Sequence, residues 1–263
     1  MLLHLVADYG TGDLAFAEVQ QRLALELGDV DVVPIALAPF DTLGAGFCVA
    51  QLALTPGPPG RVVVHNVAPR RDEHGPRRAN AGEPFVAVRT HDDVLVVGPN
   101  AGWSLSFLAP HAHDARTLAV PVAGSQFRSR DYLPRAVADL LAGRQDVLGD
   151  GLDLTAVPAV PERVIAYTDG YGNLKTTVTE PPAAAGERVT VRIGDVSATA
   201  IVGDGTFEVA EGELAFAPGS SGWKRPDGSP ERFFELLLRG ASAAERFAHP
   251  ATGAMIQITA ADD

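Results

Sequence analysis

The segment Ala7-Asp8-Tyr9-Gly10-Thr11-Gly12-Asp13 holds two carboxylates and two glycines on one turn. Asp8 is placed to accept hydrogen bonds from a diol. The glycines let the backbone bend and approach a ligand closely. Asp13 stands where an acid complements a helix dipole, and a capping role is equally open to Asp8. Four later turns carry polar groups between glycines or ahead of a helix: Gly98-Pro99-Asn100-Ala101-Gly102, Phe127-Arg128-Ser129-Arg130-Asp131, Asp169-Gly170-Tyr171-Gly172-Asn173 and Gly219-Ser220-Ser221-Gly222. Each also reads as ordinary turn chemistry. The histidines show no zinc spacing with the acids or with Cys48; His111 and His113 read as a solvated loop.

The elements that must position these turns follow from hydrophobic patterning. Residues 2–6 form a short apolar run that reads as a buried strand. Behind the first turn, Leu14, Phe16, Val19, Leu23 and Leu27 recur at helical steps. Further strands are expected at 30–35, 61–64, 85–88, 94–97 and 118–122, and helices at 14–27, 41–54 and 131–142. This alternation predicts an α/β domain over 1–150 with a largely parallel sheet. In open sheets of that kind ligands bind outside the carboxyl ends of the strands, where the Asp8 turn falls. Residues 151–162 read as a linker because of their glycine and prolines. Short strands expected at 163–167, 174–178, 188–193, 198–201, 213–217, 233–238 and 255–258 make 163–263 a smaller β-barrel or sandwich. Residues 219–222 read as a loop, and those after Trp223 as an inserted loop that could cover a ligand.

Composition narrows the function classes. The chain has 263 residues, 46% of them hydrophobic, and a net charge of −12. The acidic balance argues against nucleic-acid binding, which needs clustered Lys and Arg, and against an anionic membrane surface. The single cysteine, Cys48, cannot form an internal disulfide. No stretch approaches the ~18 apolar residues of a membrane span, and no signal-peptide pattern opens the chain, so a cytoplasmic location is expected.

Taken in order, the motifs resemble those of the S-adenosylmethionine (SAM) hydroxide adenosyltransferases, the family that includes the fluorinase and chlorinase enzymes. The resemblance spans nearly the whole chain. The family's D-F-G-x-x-D-like turn is matched by Asp8 to Asp13, and its G-P-D-N-G by Gly98 to Gly102. Its F-H-G-R-D is matched by Phe127 to Asp131, and its D-x-F-G-N by Asp169 to Asn173. Its closing G-E-L, G-S-S-G and alanine-rich turn are matched by Gly212-Glu213-Leu214, Gly219 to Gly222, and Arg239-Gly240-Ala241-Ser242-Ala243-Ala244. The resemblance implies a homotrimer whose sites lie between the first domain of one subunit and the second of its neighbour. It implies SAM as substrate or ligand and no other cofactor or metal. Asp8 and Asp13 would lie in the ribose turn, with Asp8 on the hydroxyls. Asp169 would meet the methionine ammonium, with Ser220 and Ser221 nearby. Tyr171 and Asn173 would handle the adenine, Phe40 would flank the ligand, and Arg239 and Ala241 would read the adenine edge.

Family members displace methionine from the ribose C5′ of SAM with water, hydroxide or a halide. The hydroxide-using enzymes carry an Asp in V-D-P-G-V-G, an Arg shortly after it, and the His of F-H-G-R-D. Here Asn66 stands for the Asp, Arg77 or Arg78 for the Arg, and Arg128 for the His. Neither Asn66 nor Arg128 takes a proton at neutral pH. His65 and His74 flank the altered segment and could substitute as a base. Ser129 matches the fluorinase, whose halide-pocket Thr is replaced here by Pro69. The resemblance therefore implies a SAM hydrolase with an altered catalytic set; a non-catalytic SAM or adenosine binder and a SAM-dependent halogenase are the alternatives.

Overall fold

The computed structural model of the chain describes residues 1–70 and 81–261. The expected arginine of the catalytic set, Arg77 or Arg78, and His74 lie outside the described residues. The chain forms two compact units, Met1–Ala159 and Val160–Asp263.

In the first unit, strands β1 (Leu2–Ala7), β2 (Asp31–Ala36), β3 (Val62–Asn66), β4 (Phe85–Thr90), β5 (Leu95–Pro99), β6 (Ala112–Leu118) and β7 (Leu148–Gly151) form one sheet ordered β2-β1-β3-β5-β4-β6-β7. The half built from β2, β1, β3 and β5 is parallel. The half built from β4, β6 and β7 is antiparallel, so the sheet is mixed rather than largely parallel. The cause is local. The short turn between β4 and β5, with Asp93 at φ 60°, allows only a hairpin, because a parallel pair needs a long crossover.

Helix α1 (Leu14–Leu27) starts where Asp13 caps it, its carboxylate accepting from Ala15 N at 2.8 Å. Phe16, Val19 and Leu23 of α1 join Leu3, Leu5, Val62 and Val64 of the sheet and Leu133, Val137 and Leu140 of α4 (Leu133–Leu141) in one core. Strand alternation turns Val6, Val63 and His65 to the other face. Helix α2 (Thr42–Leu54) packs on β1, β3 and β5. It is buried almost all round, which its run of Gly, Ala, Phe, Cys and Val permits. A Cβ at Gly46 would collide with the carbonyl oxygen of Trp103, so a side chain there would push the two segments apart.

Two boundaries differ from the sequence expectation. The strand expected at 118–122 lies at β6 instead, which its polar residues obscure; only Ala115 and Leu118 of it are buried. Residue 151 of the expected linker, with Leu148–Gly151, belongs to β7, which pairs with β6.

In the second unit, β8 (Ile165–Thr168), β9 (Leu174–Thr176), β10 (Arg188–Ile193), β11 (Val196–Val202), β12 (Leu214–Lys224), β13 (Pro230–Leu238) and β14 (Ile256–Ala260) form a single sheet ordered β14-β10-β11-β12-β13-β9-β8. A bridge between Val164 and Met255 joins its two edges. Ile165 N donates to Ala254 O at 3.0 Å and Ile256 N to Arg163 O at 2.8 Å. The sheet therefore curls into a half-barrel around one core that includes Ile165, Val191, Phe216, Phe234 and Leu236. With one sheet there is no sandwich. These contacts satisfy a few backbone groups of the two edge strands. A short helix, α5 (Ala243–Arg246), is capped by Ser242 Oγ, which accepts from Glu245 N at 3.1 Å.

Candidate functional site

The first unit carries a cavity of about 750 Å3 where the carboxyl ends of β1, β3 and β5 meet the segment leading into α3 (Arg128–Asp131). Asp8, Tyr9, Asn66, Arg70, Glu83, Phe85, Pro99, Arg128 and Ser129 are among its lining residues. Asp8, Asn66, Arg128 and Ser129, expected from three separate motifs, thus converge on one space. Parallel strands do this by construction, since each delivers the residue after its last buried position to the same sheet edge.

The Asp8 carboxylate accepts from Phe40 N at 2.9 Å through Oδ2. That bond fixes Phe40, which sits at φ 66°, a conformation that non-glycine residues adopt at a cost. Phe40 itself is half exposed and does not line the cavity; its ring lies 5.7 Å from the Arg70 guanidinium carbon. Asp13 does not line it either, because its carboxylate is occupied as the cap of α1. The Tyr9 hydroxyl and Ser129 Oγ are 2.7 Å apart. Burial pushes the Tyr9 phenol well above its usual pKa, outweighing that hydrogen bond, so it stays neutral.

The Phe127 to Asp131 segment is tied down at each polar residue. Arg130 donates to Glu18 of α1 at 2.6 Å and to Asp131 at 2.7 Å. Ser125 Oγ donates to Asp131 Oδ2 at 2.5 Å and accepts from Phe127 N at 2.9 Å. Arg128 Nη1 donates to Glu83 O at 2.9 Å, and Nε to Pro121 O at 3.3 Å. Its guanidinium carbon lies 4.5 Å from the centre of the Phe85 ring. Nη2 is buried without a hydrogen-bond partner among the described residues. Burial draws the Arg128 pKa down, against the opposing pull of Tyr132 and Glu83. Arg128 is therefore a clamp between two backbone segments rather than a group swinging in the cavity.

His65, next to Asn66, points away from that space. It is fully buried, its ring packs against Gly98, and both ring nitrogens lack partners among the described residues. Burial holds its pKa at about 4. The expectation of His65 as a substitute base is corrected on this ground: it occupies the other face of the sheet from the cavity.

The second unit brings together two more of the expected motifs. Asp169 Oδ1 accepts from Tyr171 N and Asn173 N, each at 3.0 Å, and Oδ2 accepts from Asn173 Nδ2 at 3.0 Å. Lys175 Nζ lies 3.6 Å from Asp169 Oδ2 and 2.9 Å from Glu235 Oε1. Glu235 also accepts from Ser221 N at 3.3 Å. So an ammonium already stands beside Asp169, the acid expected to meet that of methionine. Two carboxylates share this one lysine, which leaves the cluster net negative. Tyr171 is 84% exposed. Ser220 and Ser221 lie inside β12, not in a loop; the register of β12 against β13 shifts between Pro218 and Gly222. A Cβ at Gly219 would collide with the Glu235 carboxyl group, so this bulge requires a glycine. The bulge borders a concavity of about 370 Å3 lined by Ser220, Ser221, Trp223, Glu231 and Arg232 among others. Residues 225–229, expected to cover a ligand, are the turn of the β12–β13 hairpin, closed by Arg225 N to Ser229 O at 2.8 Å. Arg239 Nη1 donates to Val209 O at 2.6 Å, and its guanidinium faces the Phe207 ring. Ala241 N closes the turn before α5 by donating to Leu238 O at 3.1 Å.

Sequence reasoning passed over Glu83 in the cavity and the Lys175–Glu235 pair under the bulge. Glu235 carried a signal, a carboxylate in the apolar run Phe233-Phe234-Glu235-Leu236. Glu83 carried none, since a Glu before a Pro at a strand start is unremarkable. Among the described residues no group of acids, histidines and cysteine could hold a metal ion, and no helix is long and apolar enough to cross a membrane.

Neither protein-family models nor curated proteins give a match to the chain. Solved structures do. An uncharacterized conserved protein from Thermotoga maritima is similar over 98% of this chain and 100% of its own, with a TM-score of 0.74 at 20% identity. A conserved hypothetical protein from Thermus thermophilus is similar over 98% of this chain and 99% of its own, with a TM-score of 0.68 at 24% identity. At these identities the likeness is one of fold: the chain shares its architecture, from end to end, with proteins of both bacteria.

Proposed function

We propose that this protein binds SAM by its adenosyl portion and hydrolyses it at C5′, releasing adenosine and methionine. The observation that carries the reading is the convergence of Asp8, Asn66, Arg128 and Ser129 on the cavity at the carboxyl ends of β1 and β3. Asp8 would accept from the ribose hydroxyls. Asn66 at the end of β3 would orient the attacking water, which its amide can do as donor and acceptor. Water held in line with the C5′–S bond gains from positioning alone. The second unit would contribute the loop of Asp169 and Asn173 and the Ser220–Ser221 bulge, drawn from a neighbouring subunit of a homotrimer.

A non-catalytic binder of SAM or adenosine is the second reading. Asn66 favours it, as does Arg128, whose Nε and Nη1 donate to backbone carbonyls. The halogenase reading gains no support from Ser129, because its hydroxyl is engaged with Tyr9. Calorimetry with adenosine and SAM, together with release of adenosine and methionine, separates these readings. Asp8→Ala is expected to weaken adenosine binding about ten- to a hundredfold, the worth of hydrogen bonds to a charged group. Unchanged affinity in Asp8→Ala removes the ribose assignment. Binding of SAM without release of products favours the second reading.

A further inference from the structure

Asp169 sits in the turn that the resemblance assigns to the methionine ammonium, yet the chain itself saturates its carboxylate. A carboxylate offers about four acceptor positions. Oδ1 accepts from Tyr171 N and Asn173 N, each at 3.0 Å. Oδ2 accepts from Asn173 Nδ2 at 3.0 Å and has Lys175 Nζ at 3.6 Å. We infer that Lys175 sets the ligand specificity of this turn. Its ammonium stands where the ammonium of a ligand's amino acid would have to stand. The protein therefore recognises its ligand by the nucleoside and gains nothing from an amino-acid end. The inference rests on the adenosyl-binding reading above and extends it to a ligand class, 5′-substituted adenosines with or without the amino acid.

Burial and charge hold Lys175 in place. It stands opposite Glu235 where β9 pairs with β13, and Nζ lies 2.9 Å from Glu235 Oε1. The Lys175 side chain is 9% exposed and that of Glu235 2%. Oε1 also accepts from Ser221 N at 3.3 Å. An ammonium leaving this carboxylate would strand a buried charge, so Lys175 does not withdraw to admit a ligand cation. A second ammonium on Asp169 Oδ2 would bring two like charges to one oxygen, where they repel. The charge of Glu235 is met by Lys175 beneath the surface and is not presented to a ligand.

The turn is also closed on itself. Asp169 N donates to Asn173 O at 3.2 Å, and Gly172 N donates to Asp169 O at 2.9 Å. Gly172 O accepts from Ala244 N at 2.8 Å, which fastens the turn to α5. Gly172 lies at φ 80°, and a Cβ there would collide with Ser242 Oγ. Oδ1 is thus kept on its two N–H donors, while the exposed Tyr171 ring stays available to a nucleoside base.

The test compares two probes by calorimetry. 5′-Methylthioadenosine carries the nucleoside and a thioether without an amino acid. S-adenosylhomocysteine carries the same nucleoside and a thioether with one. Neither has a sulfonium, so the ratio of their affinities reads the amino-acid end alone. The wild type is expected to bind both within about threefold, against the roughly ten- to hundredfold preference that a free Asp169 would give to a ligand ammonium. Lys175→Met with Glu235→Gln removes both charges of the buried pair and keeps an acceptor for Ser221 N. This double variant, its folding checked by the denaturant midpoint, should bind 5′-methylthioadenosine as the wild type does and S-adenosylhomocysteine about tenfold tighter. Adding Asp169→Asn should abolish that gain. A purely structural role of Lys175 would lower both affinities together and leave the ratio unchanged, which overturns the inference. A wild type that prefers S-adenosylhomocysteine tenfold or more also overturns it, and the adenosyl reading then stands. If the double variant does not fold, the wild-type ratio decides. A wild type that binds neither adenosine nor either probe removes the adenosyl reading and the inference with it.

Discussion

Asp8, Asn66 and Arg128 show how one side chain type gains or loses a chemical role through its neighbours. Asp8 spends one carboxylate oxygen on Phe40 N and still lines the cavity. Arg128 stands where a proton-handling group was expected, and its fork is tied to two carbonyls. His65 is one residue from Asn66, yet alternation along β3 sends it into the core. Burial holds its pKa at about 4, against an ordinary value of 6.5. The folded protein therefore resists a proton that the unfolded chain accepts. Stability is expected to be full above pH 6.5 and to fall between pH 6.5 and about 4, by roughly 3 kcal/mol from this residue. His4, also shifted down, first by burial and then by Arg61, adds in the same direction. Urea unfolding of wild type and His65→Leu over that pH range checks this. Equal pH dependence in both proteins would show that His65 is not the titrating group.

Lys175 of β9 and Glu235 of β13 belong to adjacent strands, and their pair joins two turns that are distant in sequence. Lys175 is 7% exposed and Glu235 2%. Removing one member of a buried pair leaves a charge with no counterion and costs about 3–5 kcal/mol. Lys175→Met alone is expected to destabilise by that order. Lys175→Met with Glu235→Leu should recover most of the loss, because replacing both partners by apolar groups is often near neutral. Denaturant midpoints of the two single variants and the double variant measure the coupling. Additive effects would mean that the pair contributes nothing beyond its separate contacts. On the neighbouring strand, Gly219→Ala should destabilise β12, since the added methyl occupies the space of the Glu235 carboxyl.

Across the whole molecule, the mixed sheet of the first unit and the curled sheet of the second each have their own core. If the site is shared between subunits as proposed, assembly and binding should go together. A homotrimer is expected in solution, with a mass of three chains by light scattering. A monomer that binds adenosine as tightly as the proposal requires would show that one chain suffices.

Much of the architecture was legible from hydrophobic period. The helix at 14–27 and the strand at 188–193 have strong patterns, and their bounds in the structure coincide with the sequence reading. The Asp8 turn was legible as well, because a strand, a Gly-flanked acid and a helix follow in sequence. Pairing partners were not legible, since a strand's own residues do not say which neighbour it will meet. Thus β6, half polar on its exposed side, passed unseen, the sheet turned out mixed, and the Gly219 to Gly222 segment proved to be a bulge within a strand. The same limit applied to the site. Sequence alone determined that Asn66 and Arg128 cannot accept a proton. Only the tertiary structure decided that His65 faces the core, that Lys175 stands beside Asp169, and that Arg128 clamps the segment carrying Glu83 to the cavity. Those facts depend on contacts between residues dozens of positions apart, which are fixed by packing and not by local pattern.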